Sequence, residues 1–232
     1  MKICVIGNSH VASLKLGWEE VSSDFPQAEI VFFAARGGQM SRLRVKGGSL
    51  IAGNGRLAAQ LAVTSGGISE IRPQAYDAFV ICGLGFYLPR LEAGVSRALR
   101  QAAALDFFLN SVLHGVFTKL RSLTEKKIWV GPAPLEAEYS DGAGHPMMDY
   151  AALADDMAAI LSDPVSGILG QPATTVQADL TTGIHYSDGS LRLPVRRTDA
   201  KYAAHPPGES KHMNVRFGAL WLRANLPIVL AG

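Results

Sequence analysis

The run Lys2-Ile3-Cys4-Val5-Ile6-Gly7-Asn8-Ser9-His10 decides the fold, because a short apolar stretch ends here in side chains able to do chemistry. Ile3 to Ile6 is continuously apolar, the pattern of a strand covered on both faces in a parallel α/β sheet. Gly7 breaks it. From about His10 to Ser23 the spacing of Val11, Leu14, Trp18 and Val21 predicts a helix, so Asn8 and Ser9 fall in a tight strand-to-helix turn. That turn stands at the carboxyl edge of the sheet, where open α/β sheets bind ligands. Taken alone, the segment reads Ser9 as a helix N-cap, since serine and asparagine are favoured there. Only a base elsewhere in the chain changes that reading.

Working outward, Ile30 to Ala34 reads as a second buried strand after Asp24-Phe25-Pro26, and it ends in Ala35-Arg36-Gly37-Gly38-Gln39. Two glycines beyond a strand end expose backbone N–H groups to a ligand, although such a pair by itself is an ordinary turn. From about 41 to 67 short apolar pieces alternate with Gly47-Gly48, Gly53-Asn54-Gly55 and Gly66-Gly67. They predict a small β-hairpin insertion, not a strand with its crossover helix. Tyr76 to Cys82 is a third strand, running into Gly83-Leu84-Gly85. A helical region follows, with Asp106 expected to cap a second helix bearing Leu109, Val112, Leu113, Val116, Phe117 and Leu120 on its core stripe. Lys127 to Gly131 predicts the fourth strand. The loop to Pro146, with Glu136, Glu138, Asp141 and His145, reads as a rim or lid. A helix over about 147–161 and a fifth strand at Thr174-Thr175-Val176-Gln177 complete the pattern.

The chain has 232 residues, 48% of them hydrophobic, enough for one sizeable domain over 1–232. With 22 Lys and Arg against 20 Asp and Glu, the net charge of +2 gives no electrostatic case for a nucleic-acid partner. Arg192, Arg196, Arg197 and Lys201 read as a solvated loop. Cys4 and Cys82, the two cysteines, lie in apolar runs as buried core residues, which suits a reducing compartment. Neither a signal peptide nor a membrane-spanning stretch is expected, so the location predicted is cytoplasmic. His145, His185 and His205 read as loop residues without zinc-ligand spacing, and no metal or other cofactor is called for.

The last informative run is Pro206-Pro207-Gly208-Glu209-Ser210-Lys211-His212-Met213-Asn214, with a helix beginning near Met213. A histidine three residues after a carboxylate can have one ring nitrogen oriented by it and the other free to take a proton.

At this point the chain resembles the SGNH, or GDSL-like, hydrolases. Gly7-Asn8-Ser9-His10 is similar to their first block, in which the serine is the nucleophile. Gly37 or Gly38 stands where the second block supplies an oxyanion N–H. Glu209-x-x-His212 matches the carboxylate-x-x-histidine of the last block, and Met213-Asn214 and Phe217-Gly218 resemble its continuation. Two positions depart from the pattern. Gly83-Leu84-Gly85 stands where the third block is usually Gly-x-Asn, so Gly85 offers no side-chain donor to the oxyanion, a loss of about 3 to 4 kcal/mol where tested. Glu209 replaces the usual aspartate and is one methylene longer.

The resemblance implies a three-layer, doubly wound α/β domain with a parallel five-stranded sheet of flavodoxin-like order 2-1-3-4-5. It implies Ser9, His212 and Glu209 as the catalytic set, the N–H groups of Ser9 and Gly38 or Gly37 as the oxyanion site, and Asn8, His10, Gly83 and Gly85 beside the substrate. The expected activity is hydrolysis or transfer of an acyl group through an acyl-enzyme. Its substrate would be a small-molecule or carbohydrate acyl ester, with O-acetyl sugar as the family-level guess. The absent asparagine motivates one alternative, an SGNH-fold protein that binds carbohydrate without turning it over. The other is a flavodoxin-like phosphate or nucleotide binder that uses the first turn as an anion cradle.

Overall fold

The structure is a computed structural model that describes residues 1–138, 147, 149–159, 167–195 and 203–232. In chain order it contains β1 (Lys2–Gly7), α1 (Val11–Val21), β2 (Glu29–Ala34), β3 (Leu43–Lys46), β4 (Ser49–Ala52), α2 (Gly55–Ser65), β5 (Glu70–Ile71) and β6 (Ala78–Cys82). There follow α3 (Arg97–Leu109), α4 (Val112–Arg121), β7 (Ile128–Gly131), β8 (Ala137–Glu138), α5 (Tyr150–Ala158), β9 (Gly167–Ile168), β10 (Thr182–Gly183) and α6 (Val215–Ala231).

The central sheet has the order β2-β1-β6-β7-β9, and every pairing is parallel. Counted within the sheet this is 2-1-3-4-5, the order that the family resemblance implies. The continuous apolar strands are explained by two separate cores. Cys4, Ile6, Phe33, Phe79, Ile81, Ile128 and Val130 face one layer together with side chains of α2, α3, α4 and α5. Ile3, Val5, Phe32, Ala34, Ala78, Val80 and Cys82 face the other, under α1 and α6. Alternate residues of one strand thus enter opposite cores, and no position is left for a polar side chain. Cys4 and Cys82 are both buried free thiols on opposite faces. Burial pushes the Cys82 thiol up to about 12.

Three expectations are corrected. The segment read as hairpins over about 41–67 is a hairpin only at β3 and β4, which pair antiparallel and add β5. Residues Gly55–Ser65 are instead α2, packed on β2. Asn54 caps it by accepting the Leu57 N–H at 2.8 Å, and Gly66 stops it in the left-handed conformation at φ 80°. Thr64 ties it to the sheet by accepting the Ala34 N–H at 3.0 Å. The second correction concerns Asp106, which lies inside α3; the chain breaks one turn later, and Ser111 caps α4 through the His114 N–H.

The fifth strand is the third correction. Thr174 and Thr175 belong to a 3-10 turn, and Val176 forms only an isolated bridge to Thr182. The edge strand is β9, two residues long, paired with Trp129 and Val130. A Cβ on Gly167 would stand 2.3 Å from the Trp129 ring, so a glycine is required where the indole covers the strand. Asp141 and His145, Arg196, Arg197 and Lys201, and the predicted end of the 147–161 helix lie outside the described residues. Among the described residues no helix is long and apolar enough to cross a membrane.

Candidate active site

β1 delivers Ser9 through a turn that only glycine permits. A Cβ on Gly7 would stand 2.3 Å from Val11 Cγ2 and 2.9 Å from the Cys82 carbonyl oxygen. The turn then closes on itself: the N–H groups of Val11 and Ala12 donate to the carbonyls of Asn8 and Ser9, each at 3.1 Å. Asn8 Oδ1 accepts the His10 N–H at 3.2 Å. The N-cap position of α1 is His10, and it makes no side-chain cap bond. Ser9 therefore does not cap the helix. Its Oγ lies 2.9 Å from His212 Nε2, across 203 residues of sequence.

His212 comes from the other end of the chain. Asn214 caps α6 by accepting the Phe217 N–H, and its Nδ2 donates to the carbonyls of His185 and Asp188, each at 2.9 Å, which fixes the entry to the helix. Glu209 Oε1 sits 3.2 Å from His212 Nδ1, at ion-pair distance but without the alignment of a hydrogen bond. The same oxygen accepts the Lys211 backbone N–H at 2.7 Å. Burial raises the Glu209 pKa, but the Lys211 N–H and the two facing histidines outweigh it and hold the carboxyl below its ordinary value.

Two further imidazoles flank His212. His205, expected to be a plain loop residue, stacks on it with centroids 4.2 Å apart and 14° between planes. Its Nδ1 faces the second oxygen of Glu209 at 3.4 Å. His10 lies on the other side at 5.3 Å and 27°. Burial, followed by the neighbouring charge of His212, lowers the His10 pKa to about 4. Burial likewise lowers that of His205, helped by His212 and by Arg192 and Arg36. The stack was not legible from sequence, because no spacing rule links residues 10, 205 and 212.

The remaining predicted residues lie at the same sheet edge. Gly7 and Ala34 pair across β1 and β2, and the Ala35 N–H donates to the Gly7 carbonyl at 3.3 Å, so Gly37-Gly38 leaves the sheet beside the Ser9 turn. Gly37 has φ 61°. Gly83, Leu84 and Gly85 have φ of 69°, 54° and 75°, three successive left-handed residues. A Cβ on Gly83 would stand 2.8 Å from Asn8 Oδ1 and 3.1 Å from His10 Cδ2, whereas one on Gly85 would meet nothing within 4 Å. The place of the absent asparagine is thus open space.

A cavity of about 20 Å³ behind the serine turn is lined by His10, Ser13, Gly83, Pro132, Phe217 and Trp221, and has room for about one water molecule. Roomier cavities lie elsewhere: one of about 560 Å³ against Tyr150, Gln171, Gln177 and Leu180, and one of about 620 Å³ between β3, β4 and β5, and neither includes Ser9, Glu209 or His212. Size and chemistry point to different places here, and the chemistry is the better guide, because neither of these cavities holds a paired nucleophile and base. As a donor set for a metal ion, the described residues offer His205, Glu209 and His212, whose ligand atoms lie within 4.8 Å of one another.

Fold and site together define an α/β domain that presents a serine, a histidine and a carboxylate at the carboxyl edge of its sheet. No protein-family model matches the chain, and no curated protein matches it. Among solved structures it is similar to the periplasmic domain of a lipopolysaccharide acetyltransferase from Salmonella ser. Paratyphi A, at 8% identity over 99% of this chain and 83% of that one, with a TM-score of 0.48. It is also similar to the lipase Lip_vut3 from a goat rumen metagenome, at 10% identity over 80% and 91% of the two chains, TM-score 0.35. A DUF4886 family protein from Bacteroides uniformis gives 10% identity over 99% and 95%, TM-score 0.33. At these values none of the three carries weight on function, which must come from the site.

Proposed function

We propose that the protein is a serine esterase or acyltransferase of SGNH type. The observation that carries this reading is the 2.9 Å contact between Ser9 Oγ and His212 Nε2, with Glu209 on the far ring nitrogen. With the Nδ1 proton facing Glu209, Nε2 is the acceptor and the serine hydroxyl donates to it. As Ser9 Oγ bonds to the acyl carbon, His212 takes its proton and Glu209 stabilises the imidazolium. The N–H groups of Ser9 and Gly38 receive the oxyanion. His212 then returns the proton to the departing alkoxide, leaving the acyl group on Ser9. In the second half, water or a sugar hydroxyl gives His212 a proton as its oxygen bonds to the acyl carbon; the bond from that carbon to Ser9 Oγ then breaks and His212 returns the proton to Ser9. A small acyl ester of a carbohydrate remains the substrate class we favour, and the buried thiols suit a reducing, cytoplasmic setting.

The open space at Gly85 supports the non-catalytic alternative, since no side chain there shares the oxyanion. The anion-cradle alternative is weakened, because two of the first N–H groups of α1 are already bound to the carbonyls of Asn8 and Ser9. Labelling of the intact protein with a fluorophosphonate separates these readings. Modification confined to Ser9, together with hydrolysis of a short p-nitrophenyl ester that Ser9→Ala abolishes, is the expected result. An unlabelled protein, or equal rates in the wild type and Ser9→Ala, rules the esterase reading out.

A further inference from the structure

His205, Glu209 and His212 occur at His-x3-Glu-x2-His spacing on the segment that leads into α6. Their facing atoms are close. Nδ1 of His205 is 3.4 Å from Oε2 of Glu209, and Nδ1 of His212 is 3.2 Å from Oε1. In a tetrahedral site with bonds of about 2.0 to 2.1 Å, neighbouring ligand atoms stand about 3.3 to 3.4 Å apart; here the two nitrogens face different oxygens of Glu209, and one donor atom from each residue comes within 4.8 Å of the others, so small side-chain rotations close the set. Gly208, at φ 79°, makes the turn that returns Glu209 toward His205, and the prolines at 206 and 207 stiffen it. The three side chains are only 11%, 20% and 22% exposed in chain order. A second observation points the same way: His212 Nδ1 is buried and finds no hydrogen-bond partner although it faces this carboxylate.

We propose that His205, Glu209 and His212 form a site for a divalent transition-metal ion, Zn²⁺ by the chemistry of its donors, and that the bound ion silences Ser9. Two imidazole nitrogens and one carboxylate suit zinc, with water completing the tetrahedron. The site stands on its own geometry; the silencing rests on the esterase reading.

The sign of the effect follows from the proton on His212. A metal on Nδ1 needs that nitrogen unprotonated, so the neutral ring carries its proton on Nε2. Nε2 then donates and cannot accept the proton of Ser9. Glu209, now a ligand, no longer holds the imidazolium. The near-parallel rings of His205 and His212 must also open at their Nδ1 edges to aim both lone pairs at one ion, which draws His212 away from the serine.

The test uses tag-free Ser9→Ala protein, which keeps all three ligands and needs no activity. We expect one equivalent of Zn²⁺ to bind in competition with a chromophoric chelator, and Co²⁺ to give the intense visible absorption of a tetrahedral site. Affinity falls at least ~10-fold in His205→Gln and in Glu209→Gln, and stays unchanged in His185→Gln, whose histidine is exposed and outside the set. Imidazole ¹⁵N shifts on zinc addition, read without any ligand variant, should move at Nδ1 of His205 and His212. Absent binding, binding that survives His205→Gln, or shifts confined to other histidines overturns the proposal. In active wild-type protein zinc should then inhibit, and a chelator should restore the rate. Zinc bound at these three residues in a protein that cleaves no ester leaves the site standing and removes the esterase reading instead.

Discussion

The carbonyl oxygen of Ser13 lies 1.9 Å from where a Cβ on Gly218 would stand. Helices α1 and α6 cross here with backbone against backbone, and Gly17 does the same from the other side, its Cβ position 2.4 Å from the Ala219 nitrogen. Ser9 lies just before α1 and His212 just before α6, so this crossing brings the two ends of the chain to one place.

Gly218→Ala should therefore cost about 3 kcal/mol, through overpacking against a backbone that cannot yield. For a chain of this size that lowers the melting temperature by roughly 10 °C. Gly115→Ala in α4 provides the opposite sign, since its Cβ meets nothing within 4 Å and a helical glycine replaced by alanine gains about 0.5 to 1 kcal/mol. Calorimetry of both variants checks the pair. Equal melting temperatures would show that the helices do not cross as described.

The contributions of Ser9, His212 and Glu209 to ester hydrolysis should not add. Ser9→Ala and His212→Ala are each expected to lower kcat by ~10⁵-fold or more, and the double variant by no more than either alone, because nucleophile and base act as a unit. Glu209→Gln should cost less, ~10²- to 10⁴-fold, because its contact with Nδ1 is off-line even in the wild type. Additive losses in the double variant would count against a shared proton transfer.

Gly85→Asn tests the oxyanion site directly. The position is left-handed and open, and asparagine tolerates that backbone region better than other L-residues. The substitution is expected to raise kcat ~10-fold or more at a stability cost of about 1 kcal/mol. Measured kcat that is unchanged or lower would mean that the missing donor does not limit the reaction.

Acid should destabilise the fold before the carboxylates titrate. His10 has its folded pKa lowered to about 4 against 6.5 when free, and that of His205 is lowered as well. Between those values the unfolded chain binds a proton that the folded chain refuses, so stability is full above about pH 6.5 and falls as pH drops toward 4. At about 1.4 kcal/mol per pH unit, His10 accounts for a loss of about 3 kcal/mol across that window. Glu209 adds a further loss in the same direction only at lower pH, as the medium falls through its depressed pKa. Urea unfolding at successive pH values should show this slope, and His10→Gln should flatten it. A profile level from pH 7 to 5 would refute the assignment.

Composition and periodicity were enough for parallel strands covered on both faces, because such a strand must be apolar at every position, and Ile3 to Ile6 and Phe79 to Cys82 are; the order of the strands came only through the family resemblance. They failed where pattern and length separate poorly. Gly55–Ser65 was bracketed by glycines that look like turns, yet Asn54 and Gly66 are the start and stop signals of a helix. The two-residue β9 is too short to show any period.

For the site, the residue types at 9, 209 and 212 could be read from the chain, since local turns and caps depend on near neighbours alone. Whether Ser9 was a cap or a partner of His212 could not be, because that depends on the crossing at Gly218 and Ser13. The same holds for the stack of His10, His212 and His205 and for the second imidazole on Glu209. Contacts between residues some two hundred positions apart leave no local pattern in sequence, and here the packing of α1 on α6 decided them.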